Sequence, residues 1–197
     1  MGRHRKIDRE ALLDAAQDVL LREGAANLTI EAVAANAGIS KASVLYDYKT
    51  KQALVRAMIE RRFETEWERV RDITNDLEPS SDAGIRGWIK ASRRELSDED
   101  RMLAIGLMVA LAGDPELKQM SHRFFERILT ATTGTANQPR GARLALLAVE
   151  GLKLLDFLGL HHWPQGEFEE ILRDIAWLAE QKPDPTETDV SPSLPSQ

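Results

Sequence analysis

SKASVLYDYKTK, residues 40–51, decides how this chain is read. Ser40 is a preferred helix N-cap, and the residues up to Tyr46 form a short helix with Val44 on its inner face. Asp47 to Lys51 make a turn, and Thr50 caps a longer helix from Lys51 to about Asp76. Just upstream, TIEAVAANAG begins at the cap Thr29 and stops at Gly38, where the chain must leave in a left-handed conformation. Before it, REALLDAAQDVLLREG places Leu12, Ala16, Val19 and Leu20 at helical spacing, with Gly24 as its stop. The chain therefore opens with three helices of about 15, 7 and 7 residues on very short turns.

Downstream the pattern stays helical. LEPSSDAG (77–84) is a loop by its Pro, Ser, Asp and Gly content. IRGWIKASRREL follows as a helix, then DEDRMLAIGLMVALAG with three acids in its first turn, where the helix dipole favours them. DPELKQMSHRFFERILTATT has Asp114 as cap and Pro115 at its first position. GTANQPRG (134–141) breaks the chain before ARLALLAVEGLKLLDFLGL, whose apolar content exceeds what one face can bury. HHWPQGE is a turn, and FEEILRDIAWLAEQ is a last amphipathic helix. No segment alternates with period two. The fold class is all-α with about nine helices: an N-terminal helix-turn-helix unit over 1–50, a helical body over 51–181 joined through the helix 51–76, and a Pro- and Ser/Thr-rich tail over 182–197 that reads as disordered.

Charge divides the same way. Residues 1–62 hold 11 Lys/Arg against 8 Asp/Glu, a net of +3, and residues 63–197 hold 15 against 24, a net of -9. A basic head on an acidic body suits an anionic partner at one end only. No apolar run approaches a bilayer span, and the charged N-terminus has no apolar segment behind it, so neither a membrane nor secretion is expected. The chain has no cysteine. Disulfides and thiolate chemistry are thereby excluded, which fits a cytoplasmic protein. No Gly-rich phosphate loop, nucleophile elbow or paired metal-ligand motif is present, so no catalytic residue, metal or cofactor is expected and the chain is not read as an enzyme. His161 and His162 are adjacent, but two histidines do not close a metal site.

Two short helices across a Gly-containing turn, propped by a third, make a helix-turn-helix. Val33, Ala34, Ala37, Ile39 and Val44 are small or apolar, as a close crossing needs, and the outer face of the second helix is left for a major groove. On these residues the stretch 8–58 resembles the N-terminal domain of the TetR (tetracycline-repressor-like) family of bacterial regulators. The resemblance is carried by Ala16, Gly24, Thr29, Ala37-Gly38-Ile39-Ser40, the aromatic pair Tyr46 and Tyr48, and Lys51. It implies a ligand-responsive transcriptional regulator, a repressor that leaves its operator when a small molecule binds. The usual Leu-Tyr-x-x-Phe of the family is altered. A gapless alignment puts Leu45 on the usual Tyr and Tyr48 on the usual Phe, so the role of Tyr46 depends on one residue of register, since each residue turns a helix by about 100°.

Phosphate contacts position such a protein and base contacts specify its site. Thr29, Tyr48 and Lys51 are the phosphate candidates, helped by the free amides at the starts of the second and fourth helices, and Ser40 is a further DNA-contact candidate. Lys41, Ala42, Ser43 and Tyr46 are the groove candidates: Lys41 as donor to guanine, Ala42 against a thymine methyl. Tyr48 fits contact and turn packing equally. The basic arm GRHRK (2–6) is a further candidate for the minor groove or phosphate. The resemblance also implies an operator of double-stranded, palindromic DNA, a homodimer formed by the last two long helices, and an effector cavity among the middle helices. Phe63, Trp67, Trp88, Met102, Met108, Phe124 and Phe125 are the candidate liners, although such residues also build plain core. Glu150 and Asp156 lie in the most apolar helix and need partners, with Lys153 the natural one for Glu150. The alternative is a helical interaction module of the same shape that does not bind DNA.

Overall fold

The computed structural model describes residues 8–93 and 97–183, and the basic arm and residues 184–197 of the tail lie outside them. Among the described residues there are nine helices and no strand: α1 (Arg9–Glu23), α2 (Ile30–Asn36), α3 (Lys41–Asp47), α4 (Lys51–Asn75), α5 (Ala83–Ala91), α6 (Asp98–Gly113), α7 (Pro115–Thr133), α8 (Pro139–Phe157) and α9 (Gln165–Ala179).

The helix starts are built by the cap residues the sequence offers. Thr29 accepts from the Ala32 amide, Ser40 from Ser43, Thr50 from Ala53 and Asp114 from Glu116 and Leu117. Each satisfies an amide that the helix itself leaves free. Gly24 at φ 81° and Gly38 at φ 65° make the two sharp exits of the N-terminal unit. Both are conformations that an L side chain resists.

Several boundaries differ from the sequence reading, among them the start of α9 at Gln165, inside the segment read as a turn. α5 ends at Ala91, short of the helix read over IRGWIKASRREL, whose residues 94–96 lie outside the described residues; Ser92 Oγ donates back to the Trp88 carbonyl at 2.9 Å, competing with the helix ladder there. α8 begins at Pro139, inside the segment read as a break, because proline is well suited to a first helical position.

The apolar core falls into two clusters. The first joins α1, α2, α3 and the start of α4, and it also takes in Leu103 and Leu107 of α6 and Leu117 of α7. The second lies among the end of α4, α5, the end of α7, α8 and α9. The N-terminal unit is therefore seated on the body through α6 and α7 as well as through the continuous α4. Two glycines mark close approaches to backbone in the body. A Cβ on Gly84 would meet the Ala131 carbonyl oxygen at 2.2 Å, and one on Gly141 would meet that of Gln181 at 2.3 Å.

One apolar face is left uncovered. Leu144, Leu147, Leu154 and Leu155 of α8, with Leu158 just past its end, are 40–53% exposed, and Trp177 of α9 is 62% exposed. The leucines follow helical spacing along one stripe, and Gly151 lies within it with nothing near its Cβ position.

Candidate functional site

α3 is too short to be stable alone and is held by its inner face. Val44 is fully buried there, with Leu45 and Tyr48 half-buried against the same core. Lys41, Ala42 and Tyr46 stay on the outside, with Tyr46 83% exposed. Packing thus turns Leu45 inward and Tyr46 outward.

Each candidate has a definite setting. Lys41 Nζ pairs with the Glu31 carboxylate of α2. That hydrogen bond is the main reason Glu31 is held below the ordinary carboxylate value. Ser43 is half-buried, and its Oγ lies 2.8 Å from Ser40 Oγ, so both hydroxyls are engaged at the start of the helix. Thr29 uses its Oγ1 as the α2 cap, accepting from Ala32 at 3.1 Å. Lys51 Nζ donates to the Ala25 carbonyl at 3.3 Å, tying the start of α4 to the turn after α1. Tyr48 packs into the turn; burial raises its phenol above the ordinary value. Asp47, which would repel phosphate if it pointed outward, is tucked against Arg9 Nε at 3.2 Å with its side chain only 13% exposed.

Glu31 and Arg9 were not singled out in the sequence. Glu31 and Lys41 are ten residues apart across the Gly38 turn, and Arg9 reaches Asp47 from another helix. No periodicity rule links such positions.

In the body, Phe63 stacks on Phe124 with ring centroids 4.2 Å apart and an interplanar angle of 4°. Trp67 and Trp88 both border a cavity of about 130 Å³ between α4, α5 and α7, whose other walls include Val70, Gly84 and Ala131. Each indole already carries a cation: Arg127 lies 3.9 Å from the Trp67 ring centroid and Lys153 5.1 Å from that of Trp88. Trp88 Nε1 donates to Glu150 Oε1 at 2.8 Å, and Lys153 Nζ lies 3.0 Å from the same oxygen. Asp156 pairs with Arg101 at 3.3 Å. Both acids of the apolar helix therefore have partners. Phe125 is half-buried against the second core cluster.

Met102 and Met108 do not belong with these residues. They lie on the outside of α6, 53% and 43% exposed, while Leu103 and Leu107 take the inward positions one turn apart. A step of about 100° per residue puts the methionines on the flanks of that buried pair. His161 sets its ring edge-on to Trp163, and His162 Nδ1 lies 3.6 Å from Asp156 Oδ1. Among the described residues no group of three or more His, Cys, Asp or Glu is placed to hold a metal, and no helix is long and apolar enough to cross a membrane.

Comparison with known proteins agrees with this layout. Residues 12–58 match the family described as bacterial regulatory proteins, tetR family, and residues 82–180 match the tetracyclin repressor-like C-terminal domain. A search of curated proteins returned no match. Solved structures share the fold. The transcriptional regulator SCO7518 of Streptomyces coelicolor A3(2) superposes with a TM-score of 0.71 at 21% identity, over 88% of this chain and 98% of that one. A transcriptional regulator of Saccharomonospora viridis in complex with choline gives 0.69 at 15% identity, over 86% and 95%. The multidrug binding protein EbrR complexed with ethidium gives 0.67 at 22% identity, over 87% and 99%.

Proposed function

Because the chain belongs to the tetR family of bacterial regulatory proteins, we propose that it works as a homodimer whose two α3 helices read a palindromic operator, and that a small molecule in the body makes it let go. It is a ligand-responsive, DNA-binding transcriptional regulator and not an enzyme. The outer face of α3 carries the reading: Lys41, Ala42 and Tyr46 stand exposed on a helix whose inner face is fixed by Val44. Ala42 offers a methyl contact and Lys41 a donor once Glu31 releases it. Thr29 and Lys51 sit at helix starts beside this face, where amides and an ammonium suit phosphate. No Arg, Asn or Gln lies on α3, so direct readout is sparse and phosphate contacts carry much of the affinity.

The uncovered leucine stripe of α8, with Trp177, supports the dimer. A two-fold dimer would present two reading helices to half-sites about 34–36 Å apart. For the effector, Trp67 and Trp88 already attract cations from the protein itself. Two structural relatives are described with choline and ethidium, both organic cations. An effector with a cationic head is the class this body suits, taking the place of Arg127 or Lys153 over an indole ring. On this reading the effector changes the spacing of the two heads by binding one arrangement better than the other.

Selection of bound fragments from a random DNA pool tests the central claim. A palindromic site should emerge, and affinity for it should fall steeply with salt. Recovery of no site by a folded dimer refutes DNA reading.

A further inference from the structure

A second cavity, of about 290 Å³, opens where the reading unit meets the body. Its floor is apolar: Met58 of α4 with Leu103 and Leu107 of α6, all nearly fully buried. Its wall holds Asp14 and Gln17 of α1 and the guanidinium groups of Arg61 and Arg62, and Thr65 stands exposed at its edge. The size is near the lower end for small-molecule sites, about 300–1,000 Å³. It shares no lining residue with the cavity bordered by Trp67 and Trp88.

Asp14 brings a carboxylate to the wall and is held by Arg61, so the donors left for a ligand are those of Arg62 and Gln17. Arg61 is committed to Asp14 at 2.7 Å, Gln17 Oε1 at 3.2 Å and the Glu10 carboxylate at 3.4 Å. Arg62 gives one N–H to Asp100 at 3.1 Å, out of the five a guanidinium carries. Gln17 has used its oxygen as acceptor and keeps its NH2. A molecule that satisfies this cleft must bring acceptors at one end and an apolar body at the other. We infer that the cleft between α1, α4 and α6 binds an aliphatic or aryl carboxylate, its apolar body on Met58, Leu103 and Leu107 and its carboxylate on Arg62. The planar fork of Arg62 suits a carboxylate better than a neutral head. Such a ligand touches the reading unit and the body at once. It therefore biases their relative orientation by whatever it gains in one arrangement over the other.

Decanoate, below its micellar concentration, is the probe, and decanol is the neutral comparison. Isothermal titration calorimetry on the full chain should show saturable decanoate binding, at least tenfold tighter than decanol, and decanoate should raise the thermal midpoint. Arg62→Gln should weaken decanoate at least tenfold and leave decanol unchanged, while Arg62→Lys, which keeps the charge but loses the fork, should fall between the wild type and Arg62→Gln. Thr65→Trp changes an exposed position and fills the edge of the cleft, so it should abolish binding of both while the chain stays folded by circular dichroism. Absence of saturable binding to the wild type overturns the inference. So does a Thr65→Trp variant that binds like the wild type, or decanoate affinity indifferent to Arg62→Gln. If Arg62→Gln fails to fold, the Thr65→Trp comparison decides alone. No DNA is present in these measurements, so they stand or fall apart from operator reading.

Discussion

Val44→Ala is the sharpest test of how the reading helix is held. α3 has seven residues, and Val44 is its one fully buried side chain. The substitution removes two carbons from a site with no solvent exposure. Two carbons at about 0.8 kcal/mol each give roughly 1.6 kcal/mol of lost transfer energy, and an unrelaxed cavity adds about 1 kcal/mol. The expected loss is therefore about 2–3 kcal/mol. With a urea dependence of roughly 2 kcal/mol per molar, the unfolding midpoint should fall by about 1 M. Protein concentration must be held fixed, because the unfolding of the proposed dimer would depend on it. Tyr46→Ala is the matched control on the opposite face and should stay within about 0.5 kcal/mol of wild type. A Val44→Ala midpoint within about 0.2 M of wild type, or a Tyr46→Ala loss as large as that of Val44→Ala, would mean the faces of α3 have been assigned the wrong way round.

Other expectations concern the body. Gly84→Ala should destabilise by about 1–2 kcal/mol in denaturant: the usual helix gain of roughly 0.5–1 kcal/mol is outweighed by overpacking of about 1–3 kcal/mol against the Ala131 carbonyl. A stabilised variant would refute the close approach of α5 and α7. Glu66 is held below the ordinary carboxylate value. Burial works against this, but the Arg69 hydrogen bonds and the charges of Arg69, Lys153 and Arg62 outweigh it. A lowered folded pKa gives stability that is present above the unfolded value of 4.5 and lost as pH falls through the folded one. The stability difference between wild type and Glu66→Gln should thus be full at pH 7 and shrink below pH 4.5; a difference that does not change with pH counts against the Arg69 pairing. Leu147→Glu with Leu154→Glu should leave helicity intact and yield monomers in sedimentation at micromolar concentration. Dimers that persist would move the interface away from α8.

How much was legible in advance follows from the range of each interaction. Caps and stops act within four residues, so Thr29, Ser40, Thr50 and Asp114 could be read directly, and the three N-terminal helices came out at 15, 7 and 7 residues. The α5 end was missed because a serine hydroxyl turned back on its own helix. That choice depends on what surrounds Ser92, which is itself buried. The effector candidates divided for a similar reason. Aromatic and methionine residues at helical spacing lie on some face, but only the packing of α6 on α1 decides that Leu103 and Leu107 go inward and Met102 and Met108 outward.

The sequence by itself determined the helical composition, the helix-turn-helix and the division of charge, because these rest on local chemistry and on counting. Tertiary structure alone decided which side of α3 is free. Leu45 and Tyr46 are neighbours of similar local preference, and only the shape of the core under Val44 sends one inward and leaves the other exposed. It also decided that Lys41 is held by Glu31 and Asp47 by Arg9, since charges from separate helices meet only once the chain has closed on itself.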